Sequence, residues 1–242
     1  MDTDNNLSRE EDEAHAAWIN QPPAHRSAAD VLITPDDIME MEPCDRYSRD
    51  RVKELFGDET GATFEEVASD QRISPLDGLW VLLNFPPWLT DGQRGELACR
   101  FAERVLPFYE ERRTADLRGF IEVRRRFIAG GASLDELDKV YEDIEALYGE
   151  HYEAVADRGG FTGEYQPTPV FNTHERWEAR SICRVLSTVK KAVQGLTWDA
   201  GMEAWCAVEQ MIHAGVRHPG KGVEHHWQIQ QTLEMIRSGE KT

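Results

Sequence analysis

A helical rhythm that repeats three times between Leu97 and Val155 constrains this chain more than any other feature. Leu97, Phe101, Val105 and Phe108 recur three or four residues apart, which sets them on one face of a helix. Pro107 lies within that stretch. It lacks a backbone donor and crowds the carbonyl four residues earlier, so a kink or break is expected near Leu106. A second helix, from about Thr114, carries Leu117, Phe120, Ile121, Phe127 and Ile128 and stops at Gly130-Gly131, because glycine takes the left-handed cap conformation without a side-chain clash. Ser133-Leu134-Asp135-Glu136 then has the capping-box form, in which the serine hydroxyl and the glutamate carboxylate satisfy free amides at a helix start. The third helix holds Leu134, Leu137, Val140, Tyr141, Ile144, Leu147, Tyr148, Tyr152 and Val155 in the same rhythm until Gly159-Gly160.

Charge sorts between these helices. Arg112, Arg113, Arg118, Arg124, Arg125 and Arg126 fall on the second, whereas Asp135, Glu136, Asp138, Glu142, Asp143, Glu145, Glu150 and Glu153 fall on the third. Antiparallel packing would bring the two signs together as the solvated flanks of a hairpin, where an exposed pair contributes only about 0–1 kcal/mol. The alternative is a binding face made of Asp135, Asp138, Glu142, Asp143, Glu145 and Glu150.

The segments ELACRFAERVLPFY (96–109) and DLRGFIEVRRRFIAGGASLDEL (116–137) resemble a pattern found in all-helical proteins of bacteria and bacteriophages. In that group a run like ACRFAERVLP precedes a helix ending in a glycine turn and an S-L-D-E-L helix start. The stretch from Ile33-Thr-Pro-Asp-Asp-Ile to Leu55-Phe56-Gly57-Asp58 resembles the opening of the same proteins, which makes Ile33 to Tyr148 one expected unit. Looser relatives resemble immunity proteins or phage accessory proteins. The resemblance implies a helical fold and an interaction role, and it brings no catalytic signature. After Tyr148 the chain departs from the group's alanine-rich pattern.

Elsewhere the punctuation is also helical. Thr34-Pro35-Asp36-Asp37, Ser48, Thr63-Phe64-Glu65-Glu66, Ser74-Pro75 and Thr90-Asp91 are helix starts. Leu79-Trp80-Val81-Leu82-Leu83 is too short for periodicity to separate helix from strand, but Ser74-Pro75 ahead of it favours a helix. Towards the carboxy end Trp177 to Val193 forms a helix ended by Gly195. Thr197 opens the next, carrying Trp198, Met202, Trp205, Val208 and Ile212, and Val223, Trp227, Leu233 and Ile236 outline the last. The tryptophans at helical spacing read as core.

The expected architecture is therefore all-α, a bundle of about 8–10 helices with a disordered acidic amino-terminal tail. The expected divisions are a tail over 1–30, a helical region over 31–158, a connecting loop over 159–172 and a second helical region over 173–238. The net charge of −18 is uneven: residues 1–70 hold 19 acidic groups against 6 basic, and residues 71–242 hold 26 against 21. That balance argues against direct binding to nucleic-acid phosphates and suits a protein partner with a basic surface. No apolar run reaches the roughly 18–20 residues that span a bilayer, and the amino terminus lacks a signal core, so no membrane association and a cytoplasmic setting in a bacterial or phage-infected cell are expected.

Chemistry is sparse. Cys44, Cys99, Cys183 and Cys206 are far apart, with no Cys-x-x-Cys, and read as reduced thiols. No nucleophile elbow, phosphate-binding glycine loop or dinucleotide fingerprint occurs, so no catalytic residue and no cofactor are expected. Cys206, His213 and His225, with His218, His226 and Glu224 nearby, form the strongest alternative metal set, although they lack both the short cysteine spacing and His-Glu-x-x-His. The expected function is a non-enzymatic acidic helical interaction protein. It would be an inhibitor such as a phage anti-defence factor, anti-CRISPR-like or mimicking nucleic acid, or an immunity factor. A helical metal-dependent enzyme built near Cys206, His213 and His225 and a structural subunit of a larger assembly are the alternatives.

Overall fold

The computed structural model describes residues 31–85, 88–111, 115–156, 173–213 and 221–239. The expected tail over 1–30 and the loop over 159–172 lie outside the described residues. So do Trp18, Arg112, Arg113 and His218. Ten helices and no strand occur among the described residues, and the all-α expectation holds. They are α1 (Pro35–Glu40), α2 (Arg49–Phe56), α3 (Phe64–Ser69), α4 (Pro75–Asn84), α5 (Asp91–Glu110), α6 (Leu117–Ile128), α7 (Leu134–Ala156), α8 (Thr173–Val193), α9 (Thr197–His213) and α10 (Lys221–Gly239).

The chain divides into two compact units. Of the described residues, those up to Gln93 and those from Thr232 form one unit and those between Arg94 and Gln231 the other, so both boundaries fall inside helices, α5 and α10.

In the first unit, local chemistry places the short helices. Thr34 and Thr63 each accept from the amide three residues on while Asp37 and Glu66 bond back to the cap backbone, giving two complete capping boxes. Ser48 and Ser74 cap α2 and α4, and Pro35 and Pro75 stand at first-turn positions where no backbone donor is needed. An isolated antiparallel bridge joins Ile33 to Ala62. Phe64 is fully buried and meets Phe85 and Trp88 edge-on, with ring centroids 5.7 and 5.8 Å away. The ambiguous Leu79–Leu83 run is helical, with Leu79, Val81, Leu82 and Leu83 buried.

The second unit is centred on α8, which packs on α6, α7 and α9. Ser181, Ile182, Cys183, Val185, Leu186, Thr188, Val189, Ala192 and Val193 are all buried, so the carboxy-terminal half of α8 is covered on most sides. Its two buried hydroxyls are satisfied within the helix: Ser181 donates to the Trp177 carbonyl at 2.8 Å and Thr188 to that of Arg184 at 2.7 Å. On α9 the buried positions include the small residues Ala200, Gly201, Ala204 and Ala207, which let neighbouring backbones come close.

The fold bears on three further expectations. Helix α5 runs through Pro107 to Glu110 without a break. Leu106, Phe108 and Tyr109, which flank the proline, are all buried, and this burial outweighs the one lost backbone bond. Thr197 opens α9 as expected, and its hydroxyl donates to the Arg94 carbonyl at 2.8 Å. Trp88 is buried, whereas the tryptophans at helical spacing, Trp177, Trp198, Trp205 and Trp227, are half-buried, as is Trp80. Their rings are too large for the close-packed centre, and arginines cover two of them, Arg104 lying 5.2 Å over Trp227 and Arg180 5.2 Å over Trp177.

Candidate functional site

Two arrangements in the second unit could carry a function: the outer face of α7 and a buried polar group at the start of α10.

The arginines of α6 do not neutralise α7 as a simple hairpin would. Arg125 turns to α5, gripping Glu103 through both terminal nitrogens at 2.6 and 2.8 Å and Glu96 through Nε at 2.9 Å. Glu96 also receives Arg100 at 3.2 Å. The hydrogen bonds to Glu103 and Glu96 hold the Arg125 guanidinium far above its ordinary range. Arg118 pairs with Glu110, again on α5. Arg126 does cross to α7, meeting Glu136 at 3.1 Å. Helical spacing puts Arg100, Glu103 and Arg104 off the buried stripe of α5. In the fold they line its polar contacts, because the apolar stripe on a helix is narrower than the surface that neighbouring helices cover.

The six carboxylates of the expected binding face are all exposed on α7. Glu145 is tied to Lys190 of α8, whose ammonium also sits 5.4 Å from the Tyr148 ring and 5.7 Å from that of Tyr141. Asp143 meets Lys139 of its own helix at 3.5 Å. Asp135, Asp138, Glu142 and Glu150 have no ion pair among the described residues. Asp135, Asp138 and Glu142 are spaced three and four apart and form one line, while Asp143 and Glu150, seven apart, form a second beside it. At about 1.5 Å per residue the set spans roughly 22 Å along the helix.

At the start of α10 the polar groups are buried. Glu224 is fully buried; Arg104 of α5 donates to it through Nε at 3.4 Å, and Gln228 donates to it at 3.3 Å and to the Gly201 carbonyl of α9 at 3.0 Å. Burial pushes the Glu224 carboxyl above its usual range, against the pull of Arg104 and Gln228. His225, 8% exposed, stacks on Trp205 of α9 with centroids 5.3 Å apart and planes at 16°. Its Nε2 is buried without a hydrogen-bond partner, and burial, then the neighbouring His226, holds the imidazole below its usual range. Sequence spacing could not have found the Arg104–Glu224 pair, whose members are 120 residues apart.

Of the alternative metal set, Cys206 is half-buried on α9 and His225 faces the Trp205 ring, while the side chain of His213 lies outside the described residues. Among the described residues no three His, Cys, Asp or Glu side chains gather as a metal site would require. None of the four cysteines is joined in a disulfide. Burial lifts the Cys99 thiol to about 12 and that of Cys183 to about 11, so neither is a ready nucleophile. No described helix is long and apolar enough to cross a membrane.

No family model, curated protein or solved structure matches the chain.

Proposed function

We propose that this chain is a non-enzymatic acidic interaction protein that presents the outer face of α7 to a partner with a basic surface. The observation that carries the reading is the commitment of Arg125 and Arg118 to α5, which leaves Asp135, Asp138, Glu142 and Glu150 exposed and without a counter-ion among the described residues. An unpaired row of carboxylates keeps its field for an incoming partner: Asp135, Asp138 and Glu142 span about 10 Å along the helix, roughly three phosphate steps of one nucleic-acid strand, and Glu150 lies further along on the neighbouring line. The partner class that fits is a protein whose cationic groove ordinarily holds nucleic acid. Occupying such a groove makes the chain an inhibitor, in the manner of a phage anti-defence factor; an immunity factor would use the same complementarity against a basic toxin.

The test is capture from bacterial extract at about 50 and 300 mM salt, with the native chain and with a D135N/D138N/E142Q variant as baits. The expected result is a nucleic-acid-binding protein retained by the native chain at low salt only, displaced by added duplex DNA and not retained by the variant. Retention by both baits, or indifference to salt and duplex, would contradict the reading.

A further inference from the structure

Besides Trp227, which meets the Phe101 ring edge-on, the first two and a half turns of α10 are held by several polar contacts. Towards α5, Glu224 faces Arg104, Arg104 lies over Trp227, and Gln231 accepts from Arg100 at 3.0 Å. Towards α9, Gln228 reaches the Gly201 carbonyl and His225 stacks on Trp205. Ile229 is the buried aliphatic side chain of this stretch. The close approach at Gly201 is part of the seat, since a Cβ there would lie 3.3 Å from the Phe101 ring and 3.6 Å from Gln228 Oε1.

Two adjacent residues of this segment titrate, and they are buried against different neighbours. His225 occupies a flat slot on an indole with its Nε2 enclosed and unpartnered, so a second proton there would put a cation where nothing can receive its hydrogen bond. Arg104 faces Glu224 from α5, His226 stands beside His225 on α10 itself, and α9 offers His225 the Trp205 ring, with the titratable Cys206 and Glu209 on the same helix.

We propose that the start of α10 is an acid-operated latch, in which a proton taken up by His225 releases residues 223–231 from α9 and uncovers the Trp205 and Gly201 surface. The sign follows from linkage. The closed form holds His225 below its free value, so closure is fully supported above about pH 6.5 and is lost as pH falls towards the folded value. Glu224 opposes this: the closed form binds its proton more tightly, so closure is regained as pH falls through its raised folded value. The latch therefore opens as pH falls below about 6.5, and proton uptake by Glu224 works against that opening.

Amide hydrogen exchange of the full chain between pH 7.5 and 5, corrected for intrinsic rates, tests this. The opening constant of amides 225–231 should rise by up to about tenfold per pH unit below about 6.5, as one proton per opening requires, while amides 182–192 of α8 stay unchanged. His225→Phe, which keeps a ring on Trp205, should abolish the slope, and Glu224→Gln should steepen it. A flat response in the native chain, or an undiminished slope in His225→Phe, overturns the proposal. Should His225→Phe not fold, NMR titration of the native His225 decides: a value at or above about 6.5 overturns the latch, and one well below it supports it.

Discussion

At the scale of single residues, identical chemistry acts with opposite signs in different places, and two glycines show it. Gly195 closes α8 with φ of +77°, and a Cβ added there would also fall on the Arg124 guanidinium. Gly149 lies inside α7 with open space where a Cβ would stand. Gly195→Ala is therefore expected to lower stability by about 1–3 kcal/mol, through backbone strain and displacement of Arg124. Gly149→Ala should raise it by roughly 0.5–1 kcal/mol, because alanine loses less backbone freedom in a helix. Urea denaturation of the two variants beside the native chain measures both, and equal shifts of the same sign would refute the contrast between the two positions.

At the scale of elements, what the sequence shows is what lies within four residues. The starts at Thr34, Ser48, Thr63, Ser74 and Ser133 are legible because a cap needs only a hydroxyl and, for the box, an acid three residues on. Pro107 is the limiting case. Its local penalty is readable, but the buried side chains on either side that overcome it belong to tertiary packing. Thr197 is legible as the start of α9, but the carbonyl that takes its hydroxyl lies 103 residues away. The candidate sites divide in the same way. The acidic row of α7 is visible in the sequence, whereas its freedom depends on Arg125 choosing Glu96 and Glu103, which spacing does not reveal.

The α7 cap gives a direct check at this scale. Glu136 bonds to the Ser133 amide at 3.0 Å, and its own amide donates to the serine hydroxyl at 3.2 Å. The Ser133 amide, then Arg126, hold the Glu136 carboxyl below its usual range, so its support is present above the ordinary carboxylate value and is lost as pH falls through the lowered folded value. Ser133→Ala should cost about 0.5–2 kcal/mol at pH 7. Circular dichroism during urea unfolding reads this loss; no loss would show that tertiary contacts alone hold the start of α7.

At the scale of the whole molecule, a net charge of −18 spread evenly over every exposed surface would serve solvation and nothing more. A dedicated binding face requires instead that one helix concentrate an uncompensated share of that charge, and the cations of α6 and α8 that pair with α5 and with Glu145 are already engaged. Titration of the isotopically labelled chain with a short oligo-arginine peptide at low salt, with binding mapped by amide chemical shifts, separates the two cases. The predicted result is saturable shifts centred on Asp135, Asp138, Glu142 and Glu150, collapsing at about 300 mM salt as screening shortens the reach of each charge. Shifts scattered over all the acidic surfaces, or centred on residues outside α7, would contradict a binding face on that helix.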